Sequence, residues 1–383
     1  MNIIVAPDSF KGNMGAPDAC DCIEAGIRGA EKDAAVKKIP LADGGEGTAR
    51  AVTVAAGGRF VKKTVTGPLG GGVEAEFGLI DGGRTAVLDM ASASGIELLP
   101  RERLDPMKAT SFGTGELIAA ALDTGARELI IGIGGSATSD GGIGILSALG
   151  FRLLDEGGRP VGQGGEALMK IAAIDTEGAD RRLKEVSIKV ACDVTNPLTG
   201  PLGAAAVFGP QKGAAAEMIP VLDAGLARLE KAWIRAGLTR DAARPGDGAA
   251  GGAGAALRIC LGAGMESGAL LVMKYAGFFA CLPGTDLVIT GEGMTDGQTM
   301  GGKLCAVVAG ESRRAGVPAA LISGALGGTA EASSALFGHF DYAVSISRGQ
   351  TGLEAMIRDS REDLRFAAEN LVRAIKIGGK MRT

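Results

Sequence analysis

Residues 286–324 read DLVITGEGMTDGQTMGGKLCAVVAGESRRAGVPAALISG. DLVIT is a short apolar run, GGKLCAVVAGESRRAG has helical composition and stops at a glycine, and PAALISG is a second apolar run. Strand, loop, helix and strand in that order form a crossover unit, which implies parallel strands. The N-terminus repeats the pattern. NIIVA (2–6) reads as a strand, PDSFKGNMG as a loop, and PDACDCIEAGIRGA as a helix with Ala19, Ile23 and Ile27 on one face and Pro17 in its first turn. VKKIP, ADGGEG and TARAVTVAAGG then give strand, loop and a helix closed by glycine. At the far end FDYAVSI is a strand. A long helix follows from Thr351, where Thr351 and Glu354 match a capping box and Leu353, Ile357, Leu364, Leu371 and Ile375 form the apolar face.

The middle of the chain behaves differently. RFVKKTVTG, GVEAEFGLI and RTAVLDM are three strands with short turns, an antiparallel signature. Alternation then resumes with TGELIAAALDTG (helix), ELIIGIG (strand), GGIGILSALG (helix) and FRLLD (strand). Met218, Leu222, Leu226, Leu229 and Trp233 recur at helical spacing and predict a helix with a buried stripe. The expectation is an α/β fold of two α/β domains with a cleft between them. One, from residues 1–60 plus 285–383, carries a parallel Rossmann- or flavodoxin-like sheet; the other, 61–284, is an inserted mixed α/β unit.

Composition narrows the function. With 383 residues, two domains are the natural expectation at ~100–200 residues per domain. The net charge of −4 favours neither nucleic acid nor an anionic membrane. No run reaches the ~18 apolar residues of a membrane span, and the N-terminus lacks a basic leader, so the expected setting is the cytoplasm. Cys20, Cys22, Cys192, Cys260, Cys281 and Cys305 are scattered with no CxxC pair, which suits reduced thiols. His339 is the sole histidine, so Ser-His-Asp, Cys-His and His-rich metal chemistry are disfavoured. The 64 glycines cluster after apolar runs, where they let backbone approach a ligand or take positive φ.

Ligands of open α/β sheets sit beyond the carboxyl ends of the strands. Asp8, Ser9 and Lys11 follow the first strand, and Asp43 and Glu46 follow the second. Gly134, Gly135, Ser136, Thr138 and Asp140 follow ELIIGI; Asp193 and Asn196 follow SIKVAC; Glu292, Asp296, Gln298 and Lys303 follow DLVIT. Backbone amides, hydroxyls, lysines and carboxylates are the inventory of phosphoryl transfer, although no GxxxxGK[ST] loop is present. IGIGGSATSDGG stays open between an anion cradle, a structural turn and a dinucleotide fingerprint. In the last, Gly132, Gly134 and Ala137 would precede Asp155 as the ribose acid of an NAD-dependent oxidoreductase. CDVTNPL is either a polar site at a strand end or an Asx-turn, and Lys212 in GPQKGA is either a phosphate contact or a surface charge.

Eight separated blocks in order give the chain a wider resemblance: APDSFKG (6–12), LADGGEGT (41–48), ASASG (91–95), FGTGELI (112–118), GIGGSATSDGG (132–142), CDVTNPLTGPLGAAAVFGPQKGA (192–214), PGDGAAGGAG (245–254) and DLVITGEGMTDGQTMGGK (286–303). They resemble the type I glycerate kinase family over nearly the whole chain. The resemblance implies a two-domain α/β enzyme using ATP and Mg²⁺ on D-glycerate, with bacterial members generally giving 2-phosphoglycerate. A homodimer is compatible with it; nucleic acid and membrane partners are not expected. Three positions depart from the family pattern: Asn13-Met14-Gly15 stands for Ser-Leu-Ser, Ser139 for Asn, and Cys305 for Pro. The expected roles are as follows. Gly134, Gly135, Ser136, Thr138, Glu292, Gln298 and Lys303 serve the nucleotide. Ser9, Asp43, Glu46, Asn196 and Lys212 serve the substrate, Asp140 and Asp296 the Mg²⁺, and Asp193, Lys11 and Asp8 the catalysis, with Asp193 as the base.

Overall fold

The computed structural model describes residues 1–10, 13–42, 47–296, 304–327, 336–349 and 352–380. The chain forms two compact units, Met1–Asp43 with Ala269–Thr383, and Gly44–Gly268.

The first unit is built on a five-stranded sheet, all parallel, in the spatial order Tyr342–Ser345, Ala319–Ser323, Leu287–Thr290, Asn2–Val5, Ala35–Lys38. Numbered along the chain this is 2-1-3-4-5, the flavodoxin-like order, whose switch point lies between the first strand and Leu287–Thr290. The inner strands are continuous apolar runs because both faces are covered: every residue of Leu287–Thr290 and Ala319–Ser323 is buried. The edge strand Ala35–Lys38 instead exposes Lys37 and Lys38, which discourages further strand pairing.

Helix Ala16–Ala30 packs against the final helix, Leu353–Lys380. The two run parallel, Asp18 pairing with Arg361 and Glu31 with Lys376. The final helix buries Ser360, Leu364, Ala367, Ala368, Leu371 and Val372. Leu364 and Leu371 sit on the buried face as the sequence suggested, but Ile357 and Ile375 are 43% and 36% exposed. The burial stripe runs through small residues because the two backbones come close. The capping Thr351 lies outside the described residues.

The second unit carries a six-stranded sheet. Arg59–Thr66, Gly72–Ile80 and Thr85–Asp89 pair with one another antiparallel, and Glu128–Gly132, Ser187–Ala191 and Gly264–Glu266 continue the sheet from Thr85–Asp89 in parallel. Helix Met218–Arg235 buries Leu222, Leu226, Leu229 and Trp233 of the stripe read from the sequence, and leaves Met218 partly exposed.

The units divide at 43/44 and 268/269, not at the expected 60/61 and 284/285. Helix Thr48–Ala55 is held by the second unit, its Ala49 N–H donating to both carboxylate oxygens of Asp89. Residues 284–286 belong to the first, through Asn2 Nδ2 to Gly284 O and Asn2 N to Asp286 Oδ2.

Gly26 marks the closest approach of the two long helices: a Cβ there would lie 2.2 Å from Arg365 O. Gly26→Ala must push the helices apart, an overpacking cost of about 1–3 kcal/mol. Equilibrium denaturation should show that loss, and wild-type stability in this variant would contradict the packing described.

Candidate functional site

At the end of a parallel sheet the last backbone groups need partners, and the loops that supply them also place side chains at the edge. In the first unit Ala6 N donates to Ile289 O and Asp8 N to Gly291 O, carrying the first strand past its regular end. Asp8 then turns the chain by accepting from Ser9 N at 2.6 Å. Phe10 N donates to Met14 O and Met14 N to Phe10 O, so the ends of the loop after Asp8 lie side by side. Asn13 anchors that loop, its Nδ2 donating to Ser360 Oγ of the final helix at 2.6 Å.

On the neighbouring strand only glycine fits at 291, since a Cβ would lie 2.2 Å from Ile322 O. The loop then forms a two-residue parallel bridge, Met294–Thr295 with Ala325–Leu326. Thr295 Oγ1 lies 2.9 Å from Glu292 Oε1 and 3.0 Å from Ser323 Oγ, which fixes the Glu292 carboxylate. Asp8 and Glu292 are nearly buried, and both line a groove of about 1020 Å³ together with Ser9 and Asp296. Cys305 is buried behind this edge with Thr290 Oγ1 3.5 Å from its sulfur, and burial pushes its thiol well above the ordinary range.

Among the described residues no group of three or more His, Cys, Asp and Glu is gathered for a metal ion. Mg²⁺ in phosphoryl-transfer sites needs only one or two carboxylates plus substrate phosphates. Asp8, Glu292 and Asp296, lining one groove, fit that requirement.

In the second unit the strand ends carry Asp89, the 134–142 loop and Asp193. Asp193 is exposed and its Oδ1 accepts from Gly268 N at 3.0 Å. Asn196 uses its side-chain amide to close a turn onto Leu202 O. The 134–142 loop is tied down on all sides: Gly135 O accepts from Ile96 N, Ala137 N donates to Ser94 O, and Gly141 N donates to Gly251 O. Gly251 is required there, with φ +68° and a Cβ position 2.1 Å from Thr138 O.

Four residues of the expected ligand surface turn inward. Asp140 is fully buried; its Oδ2 accepts from Ser111 N and Ser111 Oγ, both at 2.8 Å, and from Gly144 N, while Oδ1 accepts from Gly142 N. Burial raises its carboxyl above the usual range, and the four donors work against that shift. The magnesium role expected of Asp140 does not fit, because its oxygens are taken by the fold. Lys212 is 2% exposed and its Nζ donates to Ser136 Oγ at 2.9 Å and Thr138 O at 2.6 Å, so it supports the loop from behind rather than meeting a substrate. Ser136 is spent on that contact. The hydroxyls of Thr138 and Ser139 are buried with no partner, so Thr138 does not present its side chain to a nucleotide. Of the loop, Gly134 is partly exposed and Gly135 exposed.

The dinucleotide alternative fails on topology. Arg152–Leu154 pairs antiparallel with Ala173–Asp175 in a separate ribbon, and Glu128–Gly132 has Thr85–Asp89 and Ser187–Ala191 as its neighbours. Asp155 closes an exposed turn, accepting from Gly157 N and Arg159 N, and is no ribose acid.

Lys11, Asp43, Glu46, Gln298 and Lys303 lie outside the described residues. Two anchors escaped the sequence reading. Asp89 ends an apolar run just as Asp193 follows one, so its signal was present. Ser111 carried none, since its value comes from Asp140, a residue 29 positions away.

Two α/β units, each with carboxylates and glycine-rich loops at the carboxyl edge of its sheet, define an enzyme of small-molecule chemistry. Comparison with known proteins makes this specific. Residues 3–376 match the glycerate kinase family. The chain is 45% identical to a glycerate kinase of Bacillus subtilis (strain 168) over 100% of its length and 99% of that protein's. It is 42% identical to the glycerate 2-kinase of Escherichia coli (strain K12), covering 99% of each. A crystal structure from Salmonella typhimurium LT2, provisionally assigned as glycerate kinase 2, superposes with a TM-score of 0.88 at 45% identity over 99% of both chains. The chain belongs to the glycerate kinase family.

Burial lowers the Lys212 ammonium from 10.5 to about 7, with the Asp140 charge opposing the shift. A neutral amine still has two N–H groups for its two acceptors. Between those two values the unfolded chain holds a proton that the folded chain has released, so stability rises with pH across that window. The slope is at most about 1.4 kcal/mol per pH unit. Lys212→Met, of similar length, should lack it. Urea melts of both proteins at pH 7.5 and 9.5 should show the wild type gaining on the variant; a constant difference would mean that Lys212 stays charged in the fold.

Proposed function

We propose that the chain transfers the γ-phosphoryl group of ATP to the 2-hydroxyl of D-glycerate, giving 2-phosphoglycerate and ADP. The observation that carries this is the end-to-end match to relatives named glycerate kinase, one of them a glycerate 2-kinase. The NAD-dependent alternative has no support.

Phosphoryl transfer asks mainly for positioning and charge compensation. Asp296, with one of Asp8 and Glu292, would hold Mg²⁺, which when bound neutralises charge on the phosphates. Asp193, exposed and oriented by Gly268 N, is the proposed base that takes the proton of the attacking hydroxyl. The outward Gly134–Gly135 backbone remains a proposed contact for the phosphates of the nucleotide. Lys11 and Lys303 remain the proposed counter-charges. Ser9 and Asn196, with Asp43 and Glu46, remain proposed substrate contacts. All six cysteines are free, which supports action in a reducing cytoplasm. Among the described residues no helix is long and apolar enough to cross a membrane.

Enolase converts 2-phosphoglycerate directly to phosphoenolpyruvate. Purified protein with Mg-ATP, D-glycerate and enolase should therefore generate phosphoenolpyruvate without a mutase. Signal only after a mutase is added would move transfer to the 3-hydroxyl, and absence of ADP release would remove the kinase reading.

A further inference from the structure

We infer that the groove of the first unit is the seat of the nucleoside half of ATP, with adenine over its outer end and the phosphates directed to its inner end. This rests on the kinase reading above and names a subsite for it.

The sheet order sets the direction of the groove. Ile346 follows the edge strand Tyr342–Ser345, Gly324 and Ala325 follow Ala319–Ser323, and Glu292 and Asp8 follow the two strands at the switch point. Along the carboxyl edge the lining therefore runs from Ile346 and the ion-paired Arg348 at the outer end to Glu292 and Asp8 at the inner end. The final helix supplies the outer wall. It runs parallel to Ala16–Ala30 with Arg361 beside Asp18, so residues 355–359 overshoot that helix and reach the groove.

Size and polarity select the occupant. A volume of about 1020 Å³ is at the upper end of the ~300–1,000 Å³ of small-molecule sites, and a three-carbon acid would leave most of it empty. Met294 and Ile357 line it while 57% and 43% exposed, apolar surface that a flat heteroaromatic ring would cover. The three arginines of the lining are each in an ion pair, Arg348 with Asp363, Arg358 with Asp359 and Arg361 with Asp18. The outer groove thus suits an uncharged nucleoside better than a phosphate or a carboxylate. Its acids can accept from ribose hydroxyls and an exocyclic amine.

Calorimetric titration with adenosine, which carries no phosphate, tests the subsite without turnover. Wild type should bind adenosine, and Ile357→Trp, which fills the groove from an exposed helix position, should weaken binding at least tenfold. Ile377→Trp, at the far end of the same helix and 60% exposed, should leave it unchanged. In the kinase assay Ile357→Trp should raise the KM for ATP about tenfold and not that for D-glycerate. Should Ile357→Trp misfold by circular dichroism, Met294→Trp serves in its place. Unaltered adenosine binding in the folded variant, or a rise in the D-glycerate KM alone, overturns the proposal. Wild-type protein that binds adenosine in this groove but releases no ADP with D-glycerate would keep the subsite and remove the kinase reading.

Discussion

The second unit depends on one buried carboxylate. Asp140 has no exposed surface and takes four hydrogen bonds, from Ser111 N and Oγ and from the amides of Gly142 and Gly144. A buried carboxylate survives only when its lone pairs are met, and here the donors come from two chain segments that no regular structure joins. Ser111 also accepts from Ile145 N, so its hydroxyl ties helix Ile143–Ala148 to the start of helix Phe112–Asp123. The glycine loop between strand and helix is thereby held at one end. Lys212 holds the middle through Ser136 and Thr138, and Gly251 passes behind it where no side chain fits.

That arrangement separates two jobs that the sequence presents together. Polar residues after a strand can face a ligand or hold the loop that does. In the 134–142 loop the Ser136 and Asp140 side chains hold the loop and the Thr138 and Ser139 hydroxyls are buried, leaving the Gly134–Gly135 backbone outward. In the first unit the balance differs. Asp8 and Glu292 are fixed by Ser9 N and Thr295 Oγ1, yet their carboxylates line an open groove. Pre-organised charge of this kind costs little reorganisation when a charged ligand arrives.

Much of the fold was legible because it rests on local patterns. LVIT and AALIS are uninterrupted apolar runs of the length a doubly covered strand needs, and the stripe through Leu222, Leu226, Leu229 and Trp233 is one helical face. What escaped depends on distant partners. Helix Thr48–Ala55 joined the second unit because Asp89, some forty residues on, accepts from its first turn. The same blindness explains Asp140: its spacing from the glycines suited a metal or phosphate, and only Ser111, far off in sequence, shows it to be an anchor. Asn13 illustrates the converse. It departs from the family pattern, yet its amide finds Ser360 on the final helix and steadies the Asp8 loop.

On the proposed assignment Asp193 acts on substrate, while Asp140 acts on the fold. Turnover and melting of Asp193→Asn and Asp140→Asn, measured side by side, test it most directly. Asp193→Asn should melt like wild type and lose roughly 10²–10⁴-fold in kcat, as expected for removal of a general base. Asp140→Asn puts an amide donor against amide donors and should lose about 1–3 kcal/mol or more of stability for the buried bonds it breaks. An Asp193→Asn enzyme keeping more than about a tenth of wild-type turnover, or an Asp140→Asn enzyme that melts normally yet is inactive, would contradict the account.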